Sequence, residues 1–355
     1  MKISFLMTLQ PLESYFFGNE KTFSFDPKKP GDNRYFIKSE RLPLQTTILG
    51  TLRYLLMPVK HADYAYSREE QLRNEAVVGT GSFSIEGDGQ AFGAIAEISP
   101  VFLVKGQNKY VRTPFDHKAE IKDNYTPLGN YCEVVTDQGT RWFSSEFNAK
   151  NGIADSYMNV EDGSLVDAKE IFSPVVRVGI NKGKENKSFF KRQSQRLQKD
   201  WGFGVYITLE TERIDADPAA RDALAALENG TIAYMGQNKS AFAVRIRQEE
   251  NEMAAAISHH LRPGVLYCFG DTLAKANVYS KCLFAITKTR DYRAYTTVFV
   301  PKDNGQRYVG SVSKEARLYK LLCAGSILIP DKQQDVFPCF RSVDCEKIGF
   351  NVIIP

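Results

Sequence analysis

Thr46, Gly50 and Arg53 are spaced four and three residues apart, which sets a hydroxyl, bare backbone and a guanidinium along one edge of a helix. Polar donors beside backbone that another chain can approach closely suit contact with a phosphate chain. The helix starts at Thr46 or Thr47, carries Leu49, Leu52, Leu55 and Leu56 as its apolar stripe, and is stopped by Pro58. Gly50 inside it costs about 1 kcal/mol against alanine, so its presence needs a reason. Two are open: approach of a phosphate chain, or tight packing against a neighbouring strand with Arg53 solvated.

A second group lies between residues 177 and 199. Eight basic residues (177, 182, 184, 187, 191, 192, 196 and 199) stand against one acid, Glu185, and Phe189 and Phe190 interrupt them. Cations on a glycine-containing loop beside aromatics suit single-stranded nucleic acid, or alternatively an acidic partner surface. The two phenylalanines are expected in the core. Near the C-terminus, an apolar helix running into Ala324-Gly325-Ser326 and then a strand would expose backbone N–H groups to a phosphate. Gly325 as a helix C-cap is the other reading.

Catalytic chemistry finds less support. None of His61, His117, His259 and His260 sits in HExxH, HD or a His-Cys zinc pattern, and no GxSxG or Walker A motif is present. Gly270-Asp271-Thr272 reads as a cap, and the pairs Glu69-Glu70 and Glu249-Glu250 as solvated faces. The six cysteines (132, 268, 282, 323, 339 and 345) lack CxxC or zinc spacing and are expected as free thiols in a reducing cytoplasm. No metal or cofactor is expected.

The elements that must position these groups follow from the bulk pattern. The 355 residues are enough for a large core and two domains, with a change near residue 200. At 43% hydrophobic and 25% charged the composition is that of a soluble globular protein, and no apolar run approaches a bilayer span. The apolar N-terminus is short and lacks a small-residue cleavage site, so it reads as a first strand. A net charge of only +4 makes any nucleic-acid reading depend on local clustering. Strands are expected at 2–9, 94–104, 174–180, 203–209, 241–247, 264–269, 282–287 and 296–300, and helices at about 46–57, 188–200, 218–228 and 314–323. Asp217-Pro218 and Asn229-Gly230 punctuate the clearest helix. Strands outnumber helices without strict alternation, which argues for an α+β fold with largely antiparallel sheets. Glycine- and asparagine-rich stretches at 18–33, 79–93, 122–131 and 148–164 read as long loops or inserted hairpins.

Several landmarks occur in a fixed order. Gln10-Pro11-Leu12-Glu13-Ser14-Tyr15-Phe16-Phe17-Gly18 precedes Leu42-Pro43-Leu44-Gln45-Thr46-Thr47-Ile48-Leu49-Gly50-Thr51-Leu52-Arg53. Then come Ser99-Pro100-Val101-Phe102-Leu103, Arg177-Val178-Gly179-Ile180, Met235-Gly236, Ser240-Ala241-Phe242 and Ala324-Gly325-Ser326. The chain resembles the third-subunit family of the type III-B CRISPR (Cmr) effector, repeat-associated RNA-binding (RAMP) proteins, over most of its length.

The resemblance implies two ferredoxin-like (RRM-related) domains with inserted hairpins and long loops, residues 1–200 and 201–355, the second holding the glycine-rich loop. It implies a noncatalytic cytoplasmic subunit in antiviral defence that holds the 5′ handle of the guide RNA (crRNA). Its protein partners would be the large polymerase/cyclase subunit and a backbone RAMP subunit, with no membrane contact. Carried over by position, Thr46, Thr47, Gly50 and Arg53 would face the guide backbone, with Arg177, Gly325 and Ser326 near it. Lys182, Lys184, Lys187, Lys191 and Arg192 are added on charge alone. No aromatic pair resembles the RNP motifs of ordinary RRMs, so base stacking on an open sheet is not expected. The rival reading within the superfamily is a metal-independent endoribonuclease that processes precursor crRNA through His259 or His260. A protein-interaction module without RNA is the third.

Overall fold

The computed structural model describes residues 1–19, 35–62, 65–118, 124–137, 139–148, 150, 152–181, 188–237, 239–275, 277–301 and 307–355. The chain opens with β1 (Lys2–Pro11), β2 (Phe36–Lys38), α1 (Gln45–Leu56) and α2 (Arg68–Val78). Next come β3 (Ile95–Ile98), β4 (Phe102–Lys105), β5 (Asn108–Arg112) and the hairpin β6 (Tyr131–Thr136) and β7 (Gly139–Ser144). Then β8 (Ser156–Asn159), β9 (Leu165–Asp167) and α3 (Ala168–Ile171) lead into a long hairpin of β10 (Phe172–Asn181) and β11 (Ser188–Leu197). β12 (Trp201–Glu210), α4 (Thr211–Asp215), α5 (Pro218–Asn229), β13 (Thr231–Met235) and β14 (Ser240–Gln248) follow. The remainder runs α6 (Met253–His260), β15 (Leu266–Cys268), β16 (Thr272–Leu273), β17 (Cys282–Ile286) and β18 (Thr289–Tyr292). β19 (Tyr295–Pro301), β20 (Arg307–Lys314), β21 (Tyr319–Leu322), β22 (Ile327–Pro330), α7 (Val343–Lys347) and β23 (Ile353–Ile354) end it.

The first sheet runs β13, β14, β1, β12, β4, β5, β8, β9, and its centre is β14, β1, β12 and then β3 and β4 end to end, all antiparallel. β3 and β4 cover successive lengths of β12 and act as one strand interrupted at Pro100, which has no N–H to give the ladder. In chain order these are strands four, one, three and two, with α1 after the first and α5 after the third. That is the ferredoxin-like order. Alternation along β1 divides two cores. Phe5, Met7 and Leu9 point to one core with Ile48, Leu49, Leu52 and Leu56 of α1 and Leu227 of α5, whereas Leu6 joins Phe102, Tyr206, Ile257 and Tyr267 in the other.

The C-terminal sheet repeats the plan. Its order is β23, β15, β22, β17, again four, one, three, two, and every neighbour is antiparallel. A 3₁₀ turn at Val278–Lys281 and the short α7 occupy the helix positions. The α+β, twice ferredoxin-like expectation is therefore met. The change expected near residue 200 is crossed by the first sheet: β12 and β14 lie beyond it and both pair with β1.

Helices expected at 46–57 and 218–228 are present. Asp217 caps α5 by accepting from the amides of Ala219 and Ala220, at 2.9 and 3.3 Å, with Pro218 in its first turn. Two expected helices are strands. Residues 188–197 pair along their whole length with β10, and Phe190 lies across from Gly179, where a β-carbon would come within 2.2 Å of its ring. This cross-strand fit outweighs the helical spacing of the lysines and arginines. Residues 319–322 pair with β16 and β18, burying Tyr319, Leu321 and Leu322 while Lys320 faces out. That is a half-buried strand pattern too short to separate from a helix by apolar content. Most of the stretch at 18–33 lies outside the described residues. Among the described residues no helix is long and apolar enough to cross a membrane.

Candidate nucleic-acid interface

The position of α1 is fixed by a residue the phosphate reading had passed over. Gln45, in its first turn, is buried, donates to the carbonyls of Ser99 (2.8 Å) and Ile348 (2.6 Å), and accepts from the Val101 amide (3.2 Å). One side chain thus ties the helix to the β3–β4 junction and to the C-terminal unit. With Ile48, Leu49, Leu52, Leu55 and Leu56 buried, the opposite face is left open.

That face forms one wall of a groove of about 250 Å³. Thr46, Thr47, Gly50, Thr51 and Tyr54 line it from α1, and Ala233, Tyr234, Met235 and Gly236 from β13 and its turn. Gly50 is exposed, and a β-carbon placed there would meet nothing within 4 Å. Tight packing inside the chain therefore does not account for this glycine. Its absent side chain widens the groove.

Arg53 does not line the groove. Its guanidinium donates to the carbonyls of Gly81 (2.7 Å) and Ala91 (3.3 Å) and lies 5.6 Å from the centre of the Phe92 ring. Burial pulls its pKa down to about 10, so it stays charged at neutral pH. It holds the 79–93 loop against the end of α1.

Gly325 and Ser326 are also used internally. Gly325 adopts a φ of +95°, and a β-carbon there would come within 2.5 Å of the Phe115 ring and 2.7 Å of Arg112 Cγ. Ser326 is fully buried. The amides a phosphate would need already donate within the chain: Ala324 to Asp271 Oδ1, Gly325 to the Cys268 carbonyl and Ser326 to the Cys323 carbonyl, at 2.9–3.1 Å. The turn is a packing corner between β21 and β22, without the helix that was expected before it.

The basic residues sit on the β10–β11 hairpin. Arg177 and Arg192 are direct cross-strand partners, and Lys191 faces Val178. The Arg192 guanidinium lies 5.4 Å from the Phe16 ring centre; burial lowers its pKa, and the neighbouring Arg177 charge adds to the effect. Like charges placed directly opposite are unfavourable and favour an anion between them. Arg177 Nη2 also reaches Ser14 Oγ at 3.4 Å. Lys191, Val176, Val178 and Phe189 are exposed, so Phe189 is not in the core. Lys182, Lys184 and Lys187 lie outside the described residues.

The groove and the hairpin meet at residues 14–17. Gly236, at the groove's end, has a φ of +78° and packs on the Phe16 carbonyl, which also accepts from the Gln237 amide at 3.1 Å. The Phe16 ring in turn carries Arg192. Thr46, Thr47 and Gly50 are thus linked through Gly236 and Phe16 to Arg192 and Arg177, which stand 127–146 positions further along the sequence. The histidines of the nuclease reading lie elsewhere: His260 Nε2 is 2.9 Å from the Val160 carbonyl, and His259 is exposed at the end of α6.

The family model described as "CRISPR-associated protein (Cas_Cmr3)" matches residues 7–120, which hold the second half of β1, α1 and the β3–β4 junction. No curated protein matches the sequence. Among solved structures, a chain of the type III-B Cmr-beta complex bound to cognate target RNA aligns over 98% of this chain and 96% of its own, with 11% identity and a TM-score of 0.51. A chain of the same kind of complex bound to cognate target RNA and AMPPnP gives 12% identity, 99% and 96% coverage and a TM-score of 0.48. A chain of the Csm3-Csm4 subcomplex of the type III-A interference complex gives 12% identity, 93% coverage of both chains and a TM-score of 0.38. The class defined by the fold is that of α+β proteins with two ferredoxin-like sheets. The particular similarity is to the Cas_Cmr3 family in the sequence of residues 7–120, and in the fold to a chain of the type III-B Cmr-beta complex.

Proposed function

We propose that this chain is a noncatalytic subunit of a type III-B CRISPR effector that holds the 5′ handle of the crRNA. In this reading it bridges the large polymerase/cyclase subunit to the backbone RAMP subunit and works in the cytoplasm in RNA-guided antiviral defence. The observation that carries the reading is Gly50. A helix glycine that costs stability, where a side chain would meet no neighbour, and that opens a groove whose Gly236 end packs on the segment carrying an arginine pair is accounted for by a ligand from outside the chain. The cations at one end of the groove suit phosphates.

The guide backbone runs along Thr46, Thr47 and Gly50 and crosses to Arg192, Arg177 and Lys191; Lys182, Lys184 and Lys187 join the proposal on charge alone. Arg53, Gly325 and Ser326 are held by contacts within the chain and lie outside the proposed RNA contacts. Co-expression with a large subunit and a backbone subunit tests the reading: the complex should retain a small RNA sharing a constant 5′ end. Recovery of the complex without small RNA would sink it. So would cleavage of precursor crRNA by the purified chain that is lost in His259→Ala or His260→Ala.

A further inference from the structure

The groove is bordered by two tyrosines that neither the core nor the phosphate contacts above employ. Tyr54 is 50% exposed and Tyr234 67% exposed, and both line the cavity. Tyr234 sits on β13, the edge strand of the first sheet, with only Ala241 across the ladder from it. Tyr54 has Lys60 for a neighbour, whose Nζ is 5.4 Å from the ring centre and is held by the Leu55 carbonyl at 3.1 Å. The lining they share also holds the small residues Gly50, Gly236 and Ala233 beside Met235 and three threonines.

The lining carries no Lys or Arg; Thr46, Thr47 and Gly50 offer the backbone hydroxyls and open space, and the cations stand outside, on the Phe16 ring and beside Tyr54. Its volume of about 250 Å³ falls below the usual range for a drug-sized ligand and suits one planar ring. Exposed tyrosines, small residues in the same lining and flanking cations are the elements of a stacking platform for single-stranded nucleic acid.

We propose that one nucleobase of the bound RNA turns into this groove and stacks on Tyr234 and Tyr54, while its flanking phosphates meet Lys60 on one side and Arg192 on the other. The inference rests on the RNA-binding reading and adds to it where base contact occurs. Stacking of this kind tolerates any base, so the groove fixes the register of the strand and leaves its sequence unread.

The test uses the full chain and short single-stranded RNAs carrying 2-aminopurine at each position in turn. One position should lose fluorescence on binding the wild-type protein. Tyr234→Ala should restore that fluorescence and weaken binding roughly ten- to hundredfold, with the slope of log affinity against log salt unchanged, since no phosphate contact is removed. Tyr234→Phe should retain both properties. Both rings are exposed, and the melting temperature of each variant separates lost stacking from lost folding. If wild-type protein binds RNA with no position quenched, or quenching survives both Tyr234→Ala and Tyr54→Ala, the base site is wrong while the RNA reading stands. If wild-type protein binds no RNA, both fall together.

Discussion

Gly236 lies against Phe16 so closely that a β-carbon at position 236 would stand 2.4 Å from the Phe16 carbonyl oxygen. This contact joins the end of β13, where the groove closes, to the segment on which Arg192 rests. Loss of the contact has a defined consequence. Gly236→Ala must accommodate a left-handed φ and a backbone clash together, and should destabilise the protein by about 1–3 kcal/mol. Thermal unfolding should register this as a fall of several degrees, and RNA affinity should fall with it. An unchanged melting temperature would show that the two elements are not coupled there.

Gly50 should behave in the opposite sense. Gly50→Ala gains helix propensity and meets no neighbour, so stability should rise by roughly 0.5–1 kcal/mol. RNA binding should weaken slightly in Gly50→Ala and strongly in Gly50→Leu, whose side chain fills the groove. Denaturant unfolding and filter binding on the same samples measure both signs.

Arg53 separates a structural cation from a ligand-binding one. Arg53→Ala removes the donor to the Gly81 carbonyl and one of two donors to the Ala91 carbonyl, which the Thr80 amide still reaches at 3.0 Å, and should cost about 1 kcal/mol in stability. The salt dependence of RNA binding should not change. A shallower salt slope would mean that Arg53 meets phosphate after all.

Asp116 gives the fold a pH signature. Its side chain is fully buried and accepts from the Tyr125 hydroxyl at 2.8 Å; burial lifts its pKa to about 6, although that hydrogen bond and Arg262 pull the other way. Because the folded pKa lies above the unfolded one, near 3.9, the folded state binds the proton more tightly. The contribution of this group to stability should therefore increase as pH falls from 7 through 6 toward 4, by roughly 2–3 kcal/mol at most. Asp116→Asn should abolish that rise in a series of urea melts. A wild-type curve that is flat across this window would refute the assignment.

The first sheet and α1 were readable because their signals are local and repeated: alternation in 2–9 and 203–209, and a leucine stripe closed by a proline. The hairpin strand at 188–197 was not. Its lysines and arginines recur at helical spacing, and what decides the matter is Gly179 lying beneath Phe190 on the other strand, which no local pattern contains. Thr46, Thr47 and Gly50 were legible from spacing. Arg53 has the same spacing but belongs to the 79–93 loop, since its direction is set by carbonyls distant in sequence. Gln45, Tyr54 and Tyr234 carried no signal beyond their neighbourhood, a glutamine at the start of α1 and tyrosines beside Gly50 and Gly236. Gly325 was visible as a glycine that matters, yet its φ and its contact with Phe115 make it a packing corner.

The central claim is that RNA lies along the strip from Gly50 to Arg177, and titrating the binding of handle RNA with salt tests it most directly. Affinity of the wild-type chain should fall linearly on a log–log plot, and Arg177→Ala and Lys191→Ala should each reduce the slope by about 1. Gly50→Leu should lower affinity at every salt concentration without altering the slope. A salt-independent affinity, or slopes and affinities that none of the three substitutions moves, would contradict the account.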